Sequence, residues 1–578
     1  MLFDVAVPEM PPAGVLVYEA PEGLPASSRV IVQVGKHSHT GFVLGQTEQN
    51  LPPEVEIKPV EGIIDAHCVL EPDIWDMALW AGKVSMCGAS ASLRAVLPEM
   101  FIEGERIKAP PIIHEEKTKF RERNCFNPFD AERVNFYLSE LQKPERTLIL
   151  FPTKESAKNF YEQLPENLKP EALLWPAKNI FTAWKQAHFK QVRIVIGSVG
   201  AVFAPLRPQR IIIEEEARPS YILPYRLNLS ARTLAGRRAL TLGAELITAG
   251  RIPSLKTYLR TKPKPPEIPD RKNIVLADMY HSHREQEHGI EGTIPLTFSL
   301  VKRTYRELSQ GHNVLWILDR LGESSEVFCR HCGQSVKCPK CNNIMRSIHD
   351  GNMLRCHVCG TVIELPEKCG NCGDDFFVGK RPGIEALAKI AGKYYPKVKL
   401  YVKGAKKSHM KGLIISTQRG LELCSNVNIS LVAWLDLDLE LWRPEDSSRL
   451  NVYSMLYESY YRGRERDSDR KVLIQARKDG IKFAGYFAEG WEKFIREELQ
   501  SRKNFMLPPF GFVVENVVEK RSKITRMEIV RFLEDSGLFV MDPGDDDSPL
   551  YISTDSLEAV RKILEPLSRY LKITVRSE

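Results

Sequence analysis

Eight of the twelve cysteines of this chain fall between residues 329 and 372, in four Cys-x-x-Cys pairs. Two cysteines separated by two residues can turn both sulfurs toward one tetrahedral Zn²⁺, at about 2.3 Å each. The pairs are Cys329/Cys332, Cys338/Cys341, Cys356/Cys359 and Cys369/Cys372. Four such pairs supply the ligands of two ions, so the spacing predicts a module that binds two zinc ions.

The segment between the inner pairs predicts how the cysteines are shared. Asp350-Gly351 lies between two short apolar-alternating runs and is typical of a hairpin turn. Such a hairpin brings Cys338/Cys341 against Cys356/Cys359 (zinc 2) and leaves Cys329/Cys332 to meet Cys369/Cys372 (zinc 1). The alternative, a disulfide scaffold, is disfavoured because the N-terminus lacks a secretion signal. His331 and His357 lie inside the pairs but are not needed as ligands.

Length and composition set the broad class of protein. A chain of 578 residues that is 43% hydrophobic is expected to form about three to five packed domains. Its apolar runs fall short of the ~18 residues that span a bilayer. We therefore expect a cytoplasmic protein that does not bind a membrane. The net charge of +7 permits nucleic-acid binding without requiring it.

Apolar strands and proline-rich segments divide the chain. Continuous apolar strands such as Thr147–Phe151 and Val314–Leu318 alternate with helical segments, which predicts an α/β fold with parallel sheets covered on both faces. The predicted parts are a β-rich N-terminal domain (1–107), a linker (108–124), a first α/β lobe (125–260), a proline-rich linker (261–272), a second α/β lobe (273–328 and 373–510), the double zinc module inserted in it (329–372), and a small C-terminal α+β domain (511–578).

This arrangement resembles the PriA family of bacterial replication-restart helicases (primosomal protein N′). The resemblance covers most of the chain and is strongest from Leu315 to Cys372. It extends to Leu435-Asp436-Leu437-Asp438 and to Leu507-Pro508-Pro509-Phe510. It implies two RecA-like helicase lobes, an N-terminal DNA-binding domain and the nested zinc pairing given above. It also implies ATP as cofactor, forked or single-strand-containing DNA as partner, and contact with other replication-restart proteins.

The chain departs from the family where ATP should bind. A phosphate-binding loop needs glycines, a lysine and a Ser/Thr hydroxyl for Mg²⁺. At the corresponding position this chain reads Asn124-Cys125-Phe126-Asn127-Pro128-Phe129-Asp130, without glycine or lysine. ATP binding is therefore not expected, and no catalytic or cofactor-binding residue is assigned.

Three further motifs differ from the family pattern. Glu214-Glu215-Glu216 stands where the family has Asp-Glu-Glu-His. These glutamates could hold Mg²⁺ through water, but three glutamates after an apolar strand are more often a solvated strand end. Arg466 is the one match to the family's arginine fingers. Leu16-Val17-Tyr18 replaces Phe-Asp-Tyr, which removes an acceptor for a DNA 3′ hydroxyl.

Basic residues provide the candidate DNA contacts. Lys36 lies in a turn of the N-terminal domain, and a second group lies within nine residues of the second lobe: Lys403, Lys406, Lys407 and Lys411. Such a group can neutralise phosphates, although a solvated loop is an equally good interpretation. Tyr221 could stack on a base, but packing is the simpler role.

The leading hypothesis is a zinc-containing DNA-binding protein of replication restart and primosome assembly without helicase activity. The alternatives are an ATP-dependent 3′-5′ helicase with a divergent nucleotide site, and an interaction scaffold that does not bind DNA.

Overall fold

The computed structural model describes residues 1–576 with several gaps. The gaps are 10–14, 49–55, 66–69, 107–118, 177–179, 190, 224–226, 228, 265, 280–289, 292–295, 321–323, 330, 333, 349–352, 357–358, 376, 403, 406–409, 442–446, 520–523, 543–548 and 568–569. The chain forms two compact units. Unit one comprises Met1–Phe126, Arg133–Lys264 and Glu497–Glu578, and unit two comprises Asn127–Glu132 and Pro265–Arg496.

The N-terminal domain in unit one is a five-stranded antiparallel sheet with three helices. Its elements are β1 (Leu2–Ala6), β2 (Leu16–Glu19), β3 (Arg29–Val34), β4 (His37–Gln46), β5 (Gly62–Asp65), α1 (Pro72–Val84), α2 (Gly88–Val96) and α3 (Glu99–Ile102). The strand order is β2-β1-β4-β3-β5. Gly41 lies where β4 crosses the core, and a Cβ there would meet Val5 at 2.5 Å. Arg29 is fully buried and donates from Nε to Asp65 at 2.5 Å.

A parallel sheet forms the next part of unit one, except that Asn127–Glu132 belong to unit two. Its elements are β6 (Arg121–Phe126), α4 (Asp130–Leu141), β7 (Thr147–Leu150), α5 (Lys154–Glu162), β8 (Ala172–Trp175), α6 (Ile180–His188), β9 (Ile194–Gly197), β10 (Arg210–Ile213), α7 (Ala231–Leu242), β11 (Glu245–Gly250) and α8 (Leu255–Thr261). The order is β6-β11-β10-β7-β9-β8. Strands β7, β9 and β10 are buried along their whole length, as their continuous apolar sequences predict.

Strand β6 corrects the sequence-based boundary of the first linker. It pairs in parallel with β11, from Arg121 opposite Glu245 to Phe126 opposite Gly250. Residues 121–124 are therefore strand and not part of a linker spanning 108–124. The strand reads Arg-Glu-Arg-Asn-Cys-Phe and lies at the edge of the sheet, so it carries polar side chains and lacks the apolar run that marks the inner strands.

Unit two contains a second parallel sheet and a separate module whose sheet is antiparallel except for one parallel pair of strands. In chain order its elements are β12 (Ile274–Asp278), β13 (Ile290–Glu291), α9 (Phe298–Ser309), β14 (Asn313–Ile317), β15 (Ser324–Cys329), β16 (Met345–Ile348), β17 (Met353–Cys356), β18 (Val362–Glu364), β19 (Phe377–Pro382), α10 (Ile384–Tyr394), β20 (Val398–Tyr401), β21 (Leu413–Ser416), β22 (Ile429–Trp434), α11 (Asp438–Leu441), α12 (Ser448–Tyr461), β23 (Lys471–Ala476), α13 (Lys478–Glu489) and α14 (Trp491–Asn504). The parallel sheet has the order β12-β23-β22-β14-β21-β20. The module sheet has the order β13-β19-β15-β16-β17-β18, with β13 and β19 as the parallel pair, and carries the eight clustered cysteines.

The C-terminal domain of unit one follows a β-α-β-β-α-β pattern. It consists of β24 (Phe512–Val518), α15 (Arg526–Asp535), β25 (Val540–Met541), β26 (Leu550–Thr554), α16 (Leu557–Leu564) and β27 (Leu571–Arg576). The antiparallel order β25-β26-β24-β27 is that of a ferredoxin-like sheet. Helix α15 starts with a capping box in which Thr525 and Glu528 bond each other's backbone N–H groups.

The predicted fold class is confirmed: two RecA-like lobes with parallel sheets, a cysteine-rich module inserted in the second, an antiparallel N-terminal domain and a small α+β C-terminal domain. The residue limits of the remaining domains stay predictions. Among the helices that the structure describes, none is long and apolar enough to cross a membrane.

Candidate metal centres and nucleic-acid interface

Each cysteine pair is built on the same backbone turn. In every pair the first cysteine's N–H donates to the carbonyl five residues later, at 2.7–2.9 Å: Cys329 to Gln334, Cys338 to Asn343, Cys356 to Thr361 and Cys369 to Asp374. In the turns whose fifth residue is described, an N–H also returns to the first cysteine's carbonyl, from Asn342, Gly360 and Gly373. The turn folds the chain back on itself, so both sulfurs of a pair face the same side.

The hairpin predicted between the inner pairs is present as β16 and β17. These strands pair antiparallel, with Met345 opposite Cys356. The hairpin places the Sγ of Cys338 3.5 Å from that of Cys359, and the Sγ of Cys341 3.4 Å from that of Cys356. The four sulfurs lie within 4.8 Å of one another and could hold one metal ion.

The outer pairs form the second set. The Sγ of Cys329 lies 3.6 Å from that of Cys372, and the Sγ of Cys332 lies 3.6 Å from that of Cys369. A tetrahedron with arms of about 2.3 Å has edges of about 3.8 Å, whereas a disulfide bond is about 2.05 Å long. The separations therefore fit two nested metal sites and exclude disulfides within these sets.

Local hydrogen bonds favour the thiolate form at Cys359 of the inner set. The Thr361 hydroxyl lies 3.1 Å from the Sγ of Cys359. Hydrogen bonds from the Thr361 side chain and backbone lower the pKa of the Cys359 thiol to about 6. His331 is exposed and is not a member of either set, as expected, while His357 lies outside the described residues.

The acidic strand end after β10 differs from its predicted solvated state. Glu214, Glu215 and Glu216 are only 9%, 9% and 2% exposed. Arg133 is fully buried and lies between two of them, with Nη2 at 2.8 Å from Glu214 Oε1 and 3.1 Å from Glu215 Oε1. The sequence-based interpretation was therefore wrong, because a buried carboxylate is stable only when it has a cationic or hydrogen-bonding partner.

Two more arginines complete this network, which we call the arginine–glutamate network. Arg251 pairs with Glu215 through Nη1, and Arg232 Nη1 lies 2.7 Å from Glu216 Oε2. The backbone N–H of Ser254 also donates to Glu216 Oε1 at 2.7 Å. All three carboxylates are thus already engaged by side chains or backbone of unit one.

The charge state of Glu214 follows from these contacts. Burial raises the pKa of its carboxyl, but the charge and hydrogen bonds of Arg133 outweigh that effect, and the Tyr137 hydroxyl also donates to it. The net result is a pKa below the ordinary value. Burial together with the charge of Glu214 raises the pKa of Tyr137 well above its ordinary range. Glu214 is therefore a structural anion in a closed network.

The segment at the family's phosphate-loop position makes its own contacts inside unit two. Asp130 accepts a hydrogen bond from the N–H of Gly463 at 3.0 Å. Glu132 pairs with Arg466 at 2.5 Å, and the Arg466 guanidinium lies 4.5 Å from the centre of the Phe129 ring. Hydrogen bonds from Arg466 and Asn127 lower the pKa of Glu132. The one arginine that matches a finger position is therefore bound to a glutamate of this chain.

The candidate DNA-contacting lysines are distributed over both units. Lys36 is exposed in the turn between β3 and β4 of unit one, and Lys411 is exposed just before β21 of unit two. Lys403, Lys406 and Lys407 lie outside the described residues. Tyr221 is 1% exposed and donates its hydroxyl to the Leu150 carbonyl at 2.9 Å, so it packs in the core as the simpler interpretation held.

Sequence reasoning missed the arginine–glutamate network. None of Arg133, Arg232 and Arg251 has a motif of its own, and they lie 81, 16 and 36 residues from their glutamate partners. The available signal was indirect. Three carboxylates that directly follow a fully apolar strand lie close to the hydrophobic core, and carboxylates buried there need cationic partners.

Comparisons with known proteins agree with this architecture. The family model of the PriA 3′ DNA-binding domain (3'BD) matches residues 4–98, the antiparallel domain. Replication restart protein PriA of Bacillus subtilis is 23% identical over 384 residues, covering 61% of this chain and 47% of the relative. The PriA of Haemophilus influenzae is 25% identical over 353 residues (57% and 48%), and that of Rickettsia typhi is 24% identical over 529 residues (82% and 81%).

Two RecA-like lobes with a module of two four-cysteine sets, preceded by a 3′ DNA-binding domain, define the class of helicase-like DNA-processing proteins. Within that class the chain is similar to the PriA family, by its N-terminal domain and by relatives that align with most of its length. It spans about half the length of the Bacillus and Haemophilus relatives that it matches.

Proposed function

We propose that this protein is a zinc-containing DNA-binding factor of replication restart that acts without an ATP-driven motor. The relatives are named as replication restart proteins, and residues 4–98 match a 3′ DNA-binding domain. Forked or single-strand-containing DNA is the partner that this domain match favours. Other restart proteins are the proposed protein partners.

Zinc is the ion proposed for both four-cysteine sets. Four thiolates around one point are a typical ligand set of structural zinc, because the soft sulfur donors select it over Mg²⁺ or Ca²⁺. Zinc 1 is assigned to Cys329, Cys332, Cys369 and Cys372, and zinc 2 to Cys338, Cys341, Cys356 and Cys359. All four ligand positions of each ion are protein sulfurs, so the ions are structural and hold the module together.

The arginine–glutamate network carries the proposal that the motor is lost. A nucleotide-bound Mg²⁺ needs accessible carboxylates at this strand end, and a transferred phosphate needs glycines and a lysine in the loop before α4. Here Glu214, Glu215 and Glu216 are buried against arginines, and the first turn of α4 carries Asp130 and Glu132, already bound to Gly463 and Arg466, with no glycine or lysine in the segment before them. The buried glutamates and the altered phosphate-loop position would each abolish ATP hydrolysis without the other.

Forked-DNA binding measured with and without ATP tests the proposal directly. We expect binding of forked DNA with an affinity that ATP leaves unchanged, no DNA-stimulated ATP hydrolysis and no strand separation. DNA-stimulated turnover that disappears in Glu215→Gln would overturn the proposal in favour of a 3′-5′ helicase. Failure to bind forked DNA at low salt would leave only the interaction-scaffold alternative.

A further inference from the structure

Helix α9 of unit two presents two large aromatic side chains to solvent. Phe298 is 75% exposed and Tyr305 is 67% exposed, with Val301, 38% exposed, between them. Residues 298, 301 and 305 follow the three-to-four-residue spacing of one helix face, and seven residues rise about 10.5 Å. The opposite face of the same helix is anchored in the core, where Leu300 and Thr304 are fully buried.

Cations accompany the aromatic rings on this face. Lys302 and Arg306 are exposed one helical turn apart, and the Nζ of Lys302 lies 5.9 Å from the centre of the Phe298 ring. Every residue of α9 is described, and its single acidic residue, Glu307, is 3% exposed and paired with Lys471 at 2.7 Å. The exposed face of α9 therefore combines aromatic rings with positive charge only.

Tyr395, at the end of α10, holds this face in place. Tyr395 donates its hydroxyl to the carbonyl of Val301 at 3.2 Å, and its ring packs edge-on against the buried Trp316. The preceding residue, Tyr394, is 54% exposed. The aromatic face is thus supported by the core of unit two and not by a movable terminus.

We infer that the α9 face (Phe298, Val301, Lys302, Tyr305 and Arg306) binds single-stranded DNA, with bases stacked on the two rings and phosphates paired with the two cations. Aromatic platforms beside positive charge are the chemistry that recognises single strands without sequence preference. The inference rests on the proposed DNA-binding function and adds a contact for the unpaired part of a fork.

A second copy of the chain fits this face less well. A stable protein interface buries roughly 1,200–2,000 Å² in total, far more than three exposed apolar side chains of one helix supply. In a two-fold dimer the face would also meet itself and bring Lys302 and Arg306 against their own copies. Single-stranded DNA avoids both difficulties, because it is a polyanion that pairs with the cations and its bases can stack on individual rings.

The test measures fluorescence anisotropy of a labelled oligo(dT), a forked DNA and a blunt duplex with the full chain. The double variant Phe298→Ala/Tyr305→Ala should bind oligo(dT) about fivefold more weakly or worse, with an unchanged salt slope, since stacking does not release counterions. Its affinity for the blunt duplex should stay within about twofold of the unmodified chain, because a duplex offers no unstacked base. The matched control is Phe505→Ala, which removes a ring that is 70% exposed in unit one and should change neither affinity.

A second experiment tests the two cations of the α9 face with the double variant Lys302→Gln/Arg306→Gln. The slope of log affinity against log salt for oligo(dT) should fall by about 1.4, at about 0.7 per lost phosphate contact. Lys154→Gln/Lys158→Gln, two exposed lysines of α5, should leave the slope unchanged.

Unchanged oligo(dT) affinity in Phe298→Ala/Tyr305→Ala overturns the inference, as does an equal loss for the blunt duplex. Self-association that this variant abolishes, with DNA binding intact, also overturns it in favour of a second copy. If the unmodified chain binds forked DNA and the α9 variants bind oligo(dT) as tightly as the unmodified chain does, the inference fails while the proposed function stands. If the unmodified chain binds no DNA, the proposed function fails with it.

Discussion

Arg133 is the residue on which the acidic strand end depends most. Its guanidinium is fully buried and is shared by Glu214 and Glu215, so its removal leaves two buried carboxylates with less compensation. We expect Arg133→Met to lower the free energy of unfolding by about 3–5 kcal/mol, measured by urea denaturation. The matched control is Arg260→Met, whose partner is Glu122 and whose side chain is half exposed; it should cost at most about 1 kcal/mol. Equal effects of the two substitutions would contradict the role assigned to Arg133.

The same contacts give the stability of unit one a pH dependence. Arg133 lowers the folded-state pKa of Glu214 below its value in the unfolded chain, which is about 4.3. A depressed carboxyl pKa adds stability that is complete above the unfolded value and is lost as pH falls through the folded value. We therefore expect denaturation midpoints that are flat from neutral pH to about 5 and fall below about 4, with a shallower fall in Arg133→Met. A loss of stability confined to alkaline pH would contradict this assignment.

At the scale of elements, the module hairpin makes a prediction about metal content. Cys338 is a buried member of the inner set, beside Met345 and Leu354 in the small apolar core of the module. The protein should contain two zinc ions per chain by elemental analysis, and Cys338→Ser should lose about one of them while destabilising the module. Cys125→Ser, a half-buried cysteine of β6 outside both sets, should retain two. A measured content near one or zero in the unmodified protein would refute the nested assignment.

The elements also show what sequence patterns could and could not provide. The nested cysteine sets were predictable because the hairpin that joins the inner pairs is local, with a turn signal and short alternating runs. The inner parallel strands were predictable because burial on both faces leaves an apolar sequence. Edge strand β6 was missed because polar side chains suit an edge, and the arginine–glutamate network was missed because its pairing depends on contacts distant in sequence.

At the scale of the whole molecule, DNA affinity should depend steeply on salt. The phosphate contacts proposed for lysines such as Lys36 and Lys411 are non-specific, so binding of forked and blunt DNA should weaken together as salt rises. Lys406→Glu/Lys407→Glu should weaken both by a similar factor, measured by anisotropy at two salt concentrations. Lys154→Glu/Lys158→Glu provides a control with the same charge change on α5. Affinity for both DNAs that is unchanged by the Lys406/Lys407 reversal would remove these residues from the interface.

DNA ends test the N-terminal domain separately. Val17 lies on β2 where the family has an acidic residue, and the neighbouring Tyr18 is 4% exposed and donates its hydroxyl to the Gln33 carbonyl at 2.9 Å. Val17 carries no acceptor atom, and the buried Tyr18 side chain is held against the Gln33 carbonyl. We expect equal affinity for forks that end in a 3′ hydroxyl and in a 3′ phosphate. A strong preference for the hydroxyl would show that another group replaces the missing carboxylate.

The two cysteine sets differ in how far solvent reaches them. Cys372 of the outer set is exposed, whereas each member of the inner set is buried or half-buried. Chelators and oxidants attack sulfurs that they can reach, so the two ions of a loaded module should leave at different rates, the outer one first. The module would then pass through a half-loaded state in which the hairpin core is still held by the inner ion. Oxidative damage to this protein would thus begin at the outer cysteine set, while the inner set still holds the hairpin.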